Sequence, residues 1–186
     1  MLITLFKYFA PFVKRSGVAA MATLGQQSTP LYDQLLQFAA QLPDDGLIPS
    51  IDHYVFAQSF DELQQRLQRL AGTFLYVDYG EITFSQGRAR TLDATMRIAV
   101  TVARKTGDRT DPLARLVASN DTLASVLLIY RRLLADADAP TAGADWLSRD
   151  TLLAAELVPF VATELSASGW TLMFDATSPA PFRLSP

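Results

Sequence analysis

The segment LDATMRIAVTVARK constrains the fold more than any other part of the chain. Leu92, Ala94, Met96, Ile98, Val100 and Val102 fall at even positions, and Asp93, Thr95, Arg97, Ala99, Thr101 and Ala103 fall between them. A period of two is that of a β-strand whose successive side chains point to opposite faces, so this spacing predicts a long strand with one buried and one wet face. Such strands pair antiparallel in sheets covered on one side only. The partner precedes it as FLYVDYGEITF, Phe74 to Phe84, joined through SQGRAR to make a long hairpin. In the partner, Leu75, Val77 and Tyr79 share one face, and Phe74, Tyr76 and Asp78 share the other. After Gly80 the apolar side moves to Ile82 and Phe84. One extra residue in a strand flips every later side chain, so a glycine-assisted β-bulge is expected near Gly80.

The bulge accounts for two carboxylates inside an aromatic run. Asp78 and Glu81 flank it and are expected on the solvated side of the sheet. General acid/base work would require a carboxyl raised by burial or by a close like charge, together with a cleft for substrate. With Asp93, Thr95 and Arg97 from the wet face of the second strand, Asp78 and Glu81 form a candidate subunit interface rather than a catalytic pair.

Several chemistries lack their residues. The 186-residue chain has 49% hydrophobic and 19% charged residues, an ordinary make-up for one domain with one core. Its 16 basic and 19 acidic residues leave a net charge of -3, with no basic excess for a phosphate backbone, so nucleic acid is not an expected partner. With no cysteine there is no disulfide framework, thiolate nucleophile or thiolate-held metal. His53 is the only histidine, which rules out a two-histidine metal site and leaves a serine–histidine–acid triad dependent on one loop residue with no nucleophile elbow in sight. The nine glycines are scattered singly among turns and form no phosphate-binding loop. No catalytic residue, cofactor or metal is assigned, and the chain is not expected to be an enzyme.

The rest reads as one α+β domain over residues 29–186, preceded by an extension, residues 1–28, expected to be flexible. MLITLFKYFAPFVKRSGVAA resembles a secretion signal, but Lys7 interrupts its apolar run and Lys14 and Arg15 lie on the wrong side of it. It is too short of apolar residues to span a bilayer. It reads as an extension upstream of a second start at Met21, with an amphipathic arm against a membrane or partner, through Lys7 and Lys14, as the alternative. Thr29 and Pro30 cap and start a helix with Leu31, Leu35, Leu36, Ala39 and Leu42 on one face. A short strand is expected around His53 to Phe56, followed by a short helix capped by Ser59 and Glu62 with Phe60, Leu63, Leu67 and Leu70 inward. Asp111 and Pro112 open the main core helix, with an expected inward seam of Leu113, Leu116, Val117, Leu123, Leu127, Tyr130 and Leu134 and an irregularity at Asn120. Pro159 argues against a helix over residues 150–165 and for an edge strand. That strand would enter a hairpin turning at SASG, with Gly169 left-handed and Trp170, Leu172 and Phe174 on one face.

This order of helix, long hairpin carrying YVDYGEITFSQGRARTLDATMRIAVTV, amphipathic helix and the closing PFVATELSASGWTLMFDATSP resembles the tail terminator and tail completion proteins of bacteriophages and prophages. It covers residues 29–182. The resemblance implies a twisted, mainly antiparallel sheet of about four strands against two or three helices. It further implies assembly into a homo-oligomeric ring, often sixfold, that caps the tail tube and joins it to the head. The partners would be further copies, tail-tube and head-connector proteins, in the bacterial host cytoplasm during assembly and in the virion neck afterwards. The family supplies no catalytic residues. Two other readings stay open from the residues alone: a small-molecule or peptide-binding module using the groove between sheet and helix, and an enzyme using Asp78 and Glu81.

Overall fold

The structure is a computed structural model that describes residues 2–22, 29–58, 64, 71–86, 92–106, 111–139 and 144–178. In chain order the elements are α1 (Leu2–Phe9), a 3-10 turn (Ala10–Phe12), α2 (Arg15–Ala22), α3 (Pro30–Ala40), β1 (His53–Ala57), β2 (Thr73–Gln86) and β3 (Leu92–Lys105). There follow α4 (Pro112–Asp138), α5 (Arg149–Leu153), β4 (Glu156–Ala162) and β5 (Ala167–Ser178). The fold is α+β. One five-stranded sheet has the order β1-β2-β3-β5-β4, one strand more than expected. β1 runs parallel to β2, and every other pair is antiparallel. The expected helix with its Ser59–Glu62 cap and the SQGRAR loop lie outside the described residues, Gln64 and the Ser85–Gln86 end of β2 excepted.

The alternation that dictated β3 places Ile98, Val100 and Val102 against Leu75 and Val77 of β2 and Leu172 and Phe174 of β5. Val126, Ile129 and Leu133 of α4 close this side. The opposite face is not wet throughout. Val55, Phe74, Tyr76, Ala103, Leu165 and Ala167 form a second buried cluster there. The Thr101 and Thr171 hydroxyls, also buried, are 2.7 Å apart across the β3–β5 ladder. Only the half of this face towards Leu92 stays open to water.

The core helix is turned relative to its expected seam. Asp111 caps it as expected, its carboxylate accepting from the Leu113 and Ala114 amides at 2.9 and 3.1 Å, and it runs unbroken through Asn120. Yet it buries Ala118, Thr122, Ser125, Val126, Ile129 and Leu133 and leaves Leu113, Leu116 and Val117 exposed. Small side chains let the helix approach the sheet closely. The hydroxyls that this buries donate back to the helix, Thr122 to the Ala118 carbonyl at 2.8 Å and Ser125 to that of Asp121 at 3.0 Å. By length and composition α4 is also apolar enough to cross a membrane, but here one of its faces is packed on β3 and β5.

Residues 2–22, expected outside the domain, are part of its core. Leu5, Phe9, Ala10, Phe12, Val13 and Val18 are buried in the main cluster beside Trp146, whose ring lies 5.3 Å from that of Tyr8. The two lysines of this segment are each held by distant residues. Lys14 donates to Asp52 at 2.7 Å, and the Lys7 ammonium sits 5.5 Å over the Phe38 ring. In α3, Thr29 accepts from the Tyr32 amide at 3.3 Å as expected, but Leu31 and Leu36 are exposed and only Ala39 and, just beyond the helix, Leu42 are buried. His53 opens β1 and its Nε2 lies 2.8 Å from the Ala71 carbonyl, a structural contact.

The closing hairpin forms with Pro159 on the sheet's outer strand. Its turn is earlier than expected. Ala162 pairs with Ala167, and Ser166, at φ 51°, is the left-handed residue. Gly169 instead lies within β5. A Cβ there would fall within van der Waals contact of the Val102 carbonyl oxygen and lie 2.5 Å from Ala103 Cα, so its need for glycine is close approach of β3.

Candidate functional site

β1 pairs with β2 only from Phe74 to Asp78, so from Tyr79 onward β2 has no described neighbour on its outer side. The bulge interrupts the ladder there. Tyr79 pairs with Ile98 and Ile82 with Met96, leaving Gly80 and Glu81 opposite the single residue Arg97. The parity switch read from the sequence is this extra residue. Glycine is not what permits it, because a Cβ at position 80 would meet only the Arg97 carbonyl oxygen, at an ordinary 3.5 Å. Beyond the bulge Ile82 and Phe84 share the helix side of the sheet with Met96 and Ala94, yet they are 44% and 53% exposed. An edge with no strand beside it among the described residues, and with two large apolar side chains exposed along it, is what isolated proteins avoid and interfaces use.

On the other side of the same edge, Asp78, Glu81, Thr95, Arg97 and Asp175 surround an open groove of about 420 Å³. Arg97 lies opposite Asp175 in the β3–β5 register and 3.8 Å from Glu156. Of the five residues predicted from sequence, Asp78, Glu81, Thr95 and Arg97 thus meet around one groove. Asp93 lies two residues further along β3, paired with Ser85. Asp175 and Glu156 were missed. Their register against β3 and β5 depends on where the closing hairpin turns, which the sequence placed too late.

The two opening carboxylates differ in environment. Glu81 is exposed, as expected. Asp78 is half-buried rather than fully solvated, and its Oδ1 is buried with no hydrogen-bond partner among the described residues. Burial pushes its carboxyl above the ordinary range, and the Tyr76 hydroxyl on the same face works against that rise. One half-buried acid beside one exposed acid, with the exposed Arg97 guanidinium near, can accept hydrogen bonds from a polar or cationic group. Among the described residues no group of three or more histidines, aspartates or glutamates is arranged to hold a metal ion.

No protein-family model matches this chain, nor does any curated protein or solved structure.

Proposed function

We propose that the chain is a ring-forming structural subunit of a phage or prophage tail or neck, of the kind that caps a tail tube and joins it to the head. The observation that carries the reading is the bulged edge of β2, with no strand beside it from Tyr79 onward among the described residues and with Ile82 and Phe84 exposed along it. A chain whose role is assembly must present surface that is unfinished in the monomer. A closed ring needs a contact that is not self-paired, with a different patch on each side of the subunit. The α+β architecture, with its long hairpin and its closing edge strand, is the one that the sequence resemblance implies. Negative-stain electron microscopy of the purified protein at high concentration tests the reading: rings of uniform diameter support it, and dispersed single subunits oppose it.

One observation favours a second reading. The groove beside Asp78 has the raised carboxyl that acid/base chemistry or a small-molecule site would use. Replacement of Asp78 by asparagine tests the second reading, because a site that depends on the carboxylate loses ligand binding or turnover with it, whereas a chain that only assembles has neither to lose.

A further inference from the structure

We infer that the groove between α1, α3 and α4 is a binding site for a small organic monocarboxylate with an apolar body, an assignment that stands apart from the ring reading above. The groove follows from the two faces of α1. Leu5 and Phe9 turn into the main core, while Ile3, Thr4, Lys7 and Tyr8, three and four residues apart, form a second stripe that lines the groove. With Phe12, Phe38 of α3, Leu47 just beyond it, and Arg132 and Asp136 of α4, this stripe surrounds a volume of about 520 Å³. That size, with mostly apolar walls and a few converging polar groups, is that of a small-molecule site.

The walls are fixed by the chain itself. The Leu47 amide donates to the Pro11 carbonyl at 2.8 Å and the Ile48 amide to that of Phe12 at 3.2 Å, which pins the loop carrying Leu47 to the 3-10 turn. Asp136 is buried at the α4 wall, where its carboxylate accepts from the Tyr8 hydroxyl and from Arg132 Nε, each at 2.8 Å. The guanidinium is thereby held in place while its side chain stays 50% exposed.

Charge selects the occupant. Lys7 and Arg132 line the groove with Asp136, so two cations and one carboxylate leave one net positive charge. Asp136 is paired with Arg132, whereas Lys7 makes no ion pair among the described residues and its ammonium stands 5.5 Å over the Phe38 ring. Burial, and after it Asp136, push the Tyr8 hydroxyl well above its ordinary range, so it stays neutral and adds no charge. One anionic group balances the site, and a carboxylate also matches the planar fork of an arginine. Ile3, Phe12, Phe38 and Leu47 then receive an apolar body. A bare inorganic anion or a cationic ligand meets only half of this chemistry.

Isothermal titration calorimetry of the full chain at neutral pH with naphthoate, naphthylmethanol and naphthylmethylamine compares one ring system carrying an anionic, a neutral and a cationic head. The expected result is one naphthoate per chain, bound about tenfold more tightly than the alcohol, the effect of one charge-assisted hydrogen bond, and more tightly still than the amine. Lys7→Met, which keeps the apolar stem and removes the charge, should erase the preference for the carboxylate while the ring still binds. Leu47→Trp, at an exposed position on the wall, should fill the groove and weaken all three, with native circular dichroism in both variants. Naphthoate that fails to bind saturably to the unmodified chain, or binds no better than the alcohol or the amine, would overturn the inference. So would a carboxylate preference left intact by Lys7→Met, or binding left intact by Leu47→Trp. Monomeric sedimentation of the chain bears on the ring reading alone.

Discussion

The indole nitrogen of Trp170 donates to the Ser119 carbonyl at 3.1 Å and to its hydroxyl at 3.0 Å, tying β5 to the first turns of α4. This bond fixes the rotation of the helix as well as its place. With Ser119 turned towards the sheet, Ala118 and Thr122 follow it inward, and Leu113, Leu116 and Val117 are carried outward. Trp170→Phe keeps most of the half-buried ring and removes the donor, so it should cost about 1 to 2 kcal/mol by urea unfolding. Trp170→Ala should cost more, about 3 kcal/mol. A Trp170→Phe protein as stable as the unmodified chain would show that the hydrogen bond contributes nothing.

Gly169→Ala should destabilise by about 1 to 3 kcal/mol, because the added methyl meets the Val102 carbonyl and Ala103 across the β3–β5 pair and the strands must separate to admit it. Ser166→Gly, at the residue that holds the positive φ, should instead be neutral or slightly stabilising. A tolerated alanine at 169 together with a harmful glycine at 166 would move the turn back to where the sequence suggested it.

Much of this architecture was legible because strands write their parity directly into sequence. The switch from Tyr79 to Ile82 and Phe84 encoded the bulge, and Pro159 encoded an outer strand. Two features were not legible, for physical reasons. α4 carries apolar residues on more than one face, and periodicity favours the leucines, whereas close packing on the sheet selected Ala118, Thr122 and Ser125. The N-terminal segment was read as an extension, with Lys7 interrupting its apolar run and Lys14 on the wrong side of it. Their partners, Phe38 and Asp52, are remote in sequence, so no local pattern shows those charges to be accommodated. At the candidate site, Asp78, Glu81, Thr95 and Arg97 were found from the alternation and its switch at the bulge, while Glu156 and Asp175 required the register of two further strands, β4 and β5.

The N-terminal segment should therefore be indispensable to folding. Deleting residues 1–22 removes Leu5, Phe9, Phe12, Val13 and Val18 from the main core, and the product should aggregate or lose cooperative unfolding. Tyr8→Phe is the milder probe. It removes a 2.8 Å hydrogen bond from the Tyr8 hydroxyl to Asp136, which Arg132 also contacts at 2.8 Å, and should cost about 1 kcal/mol. A soluble, cooperatively folding deletion product would return this segment to the status of an appendage.

The two acids that flank the bulge should respond differently to pH. Burial raises the Asp78 carboxyl, so its ionised form is disfavoured in the folded state. The stability that it adds is present when it is protonated and is lost as pH rises through its folded value. Asp78→Asn should then be neutral or stabilising at pH 7 and should flatten that part of the stability–pH curve. Glu81→Gln, at an exposed site, should change stability by less than about 0.5 kcal/mol. At Asp52 the sign reverses. Burial alone would raise it, but the Lys14 hydrogen bond and charge and the Thr73 amide outweigh burial and hold it below the ordinary carboxylate range. Its contribution is present above the unfolded value and lost as pH falls through the folded one, and Lys14→Met should remove that acid-side dependence. A large loss of stability at neutral pH in Asp78→Asn would contradict the assignment of its carboxylate as strained.

Assembly is tested most directly by sedimentation velocity of the full chain at about 100 micromolar, where contacts worth roughly 5 kcal/mol begin to populate. A discrete species several times the 20.4 kDa subunit mass is expected, lost in Ile82→Glu and in Phe84→Glu, both of which should stay folded. A single monomeric boundary at that concentration, unchanged by either substitution, would contradict it.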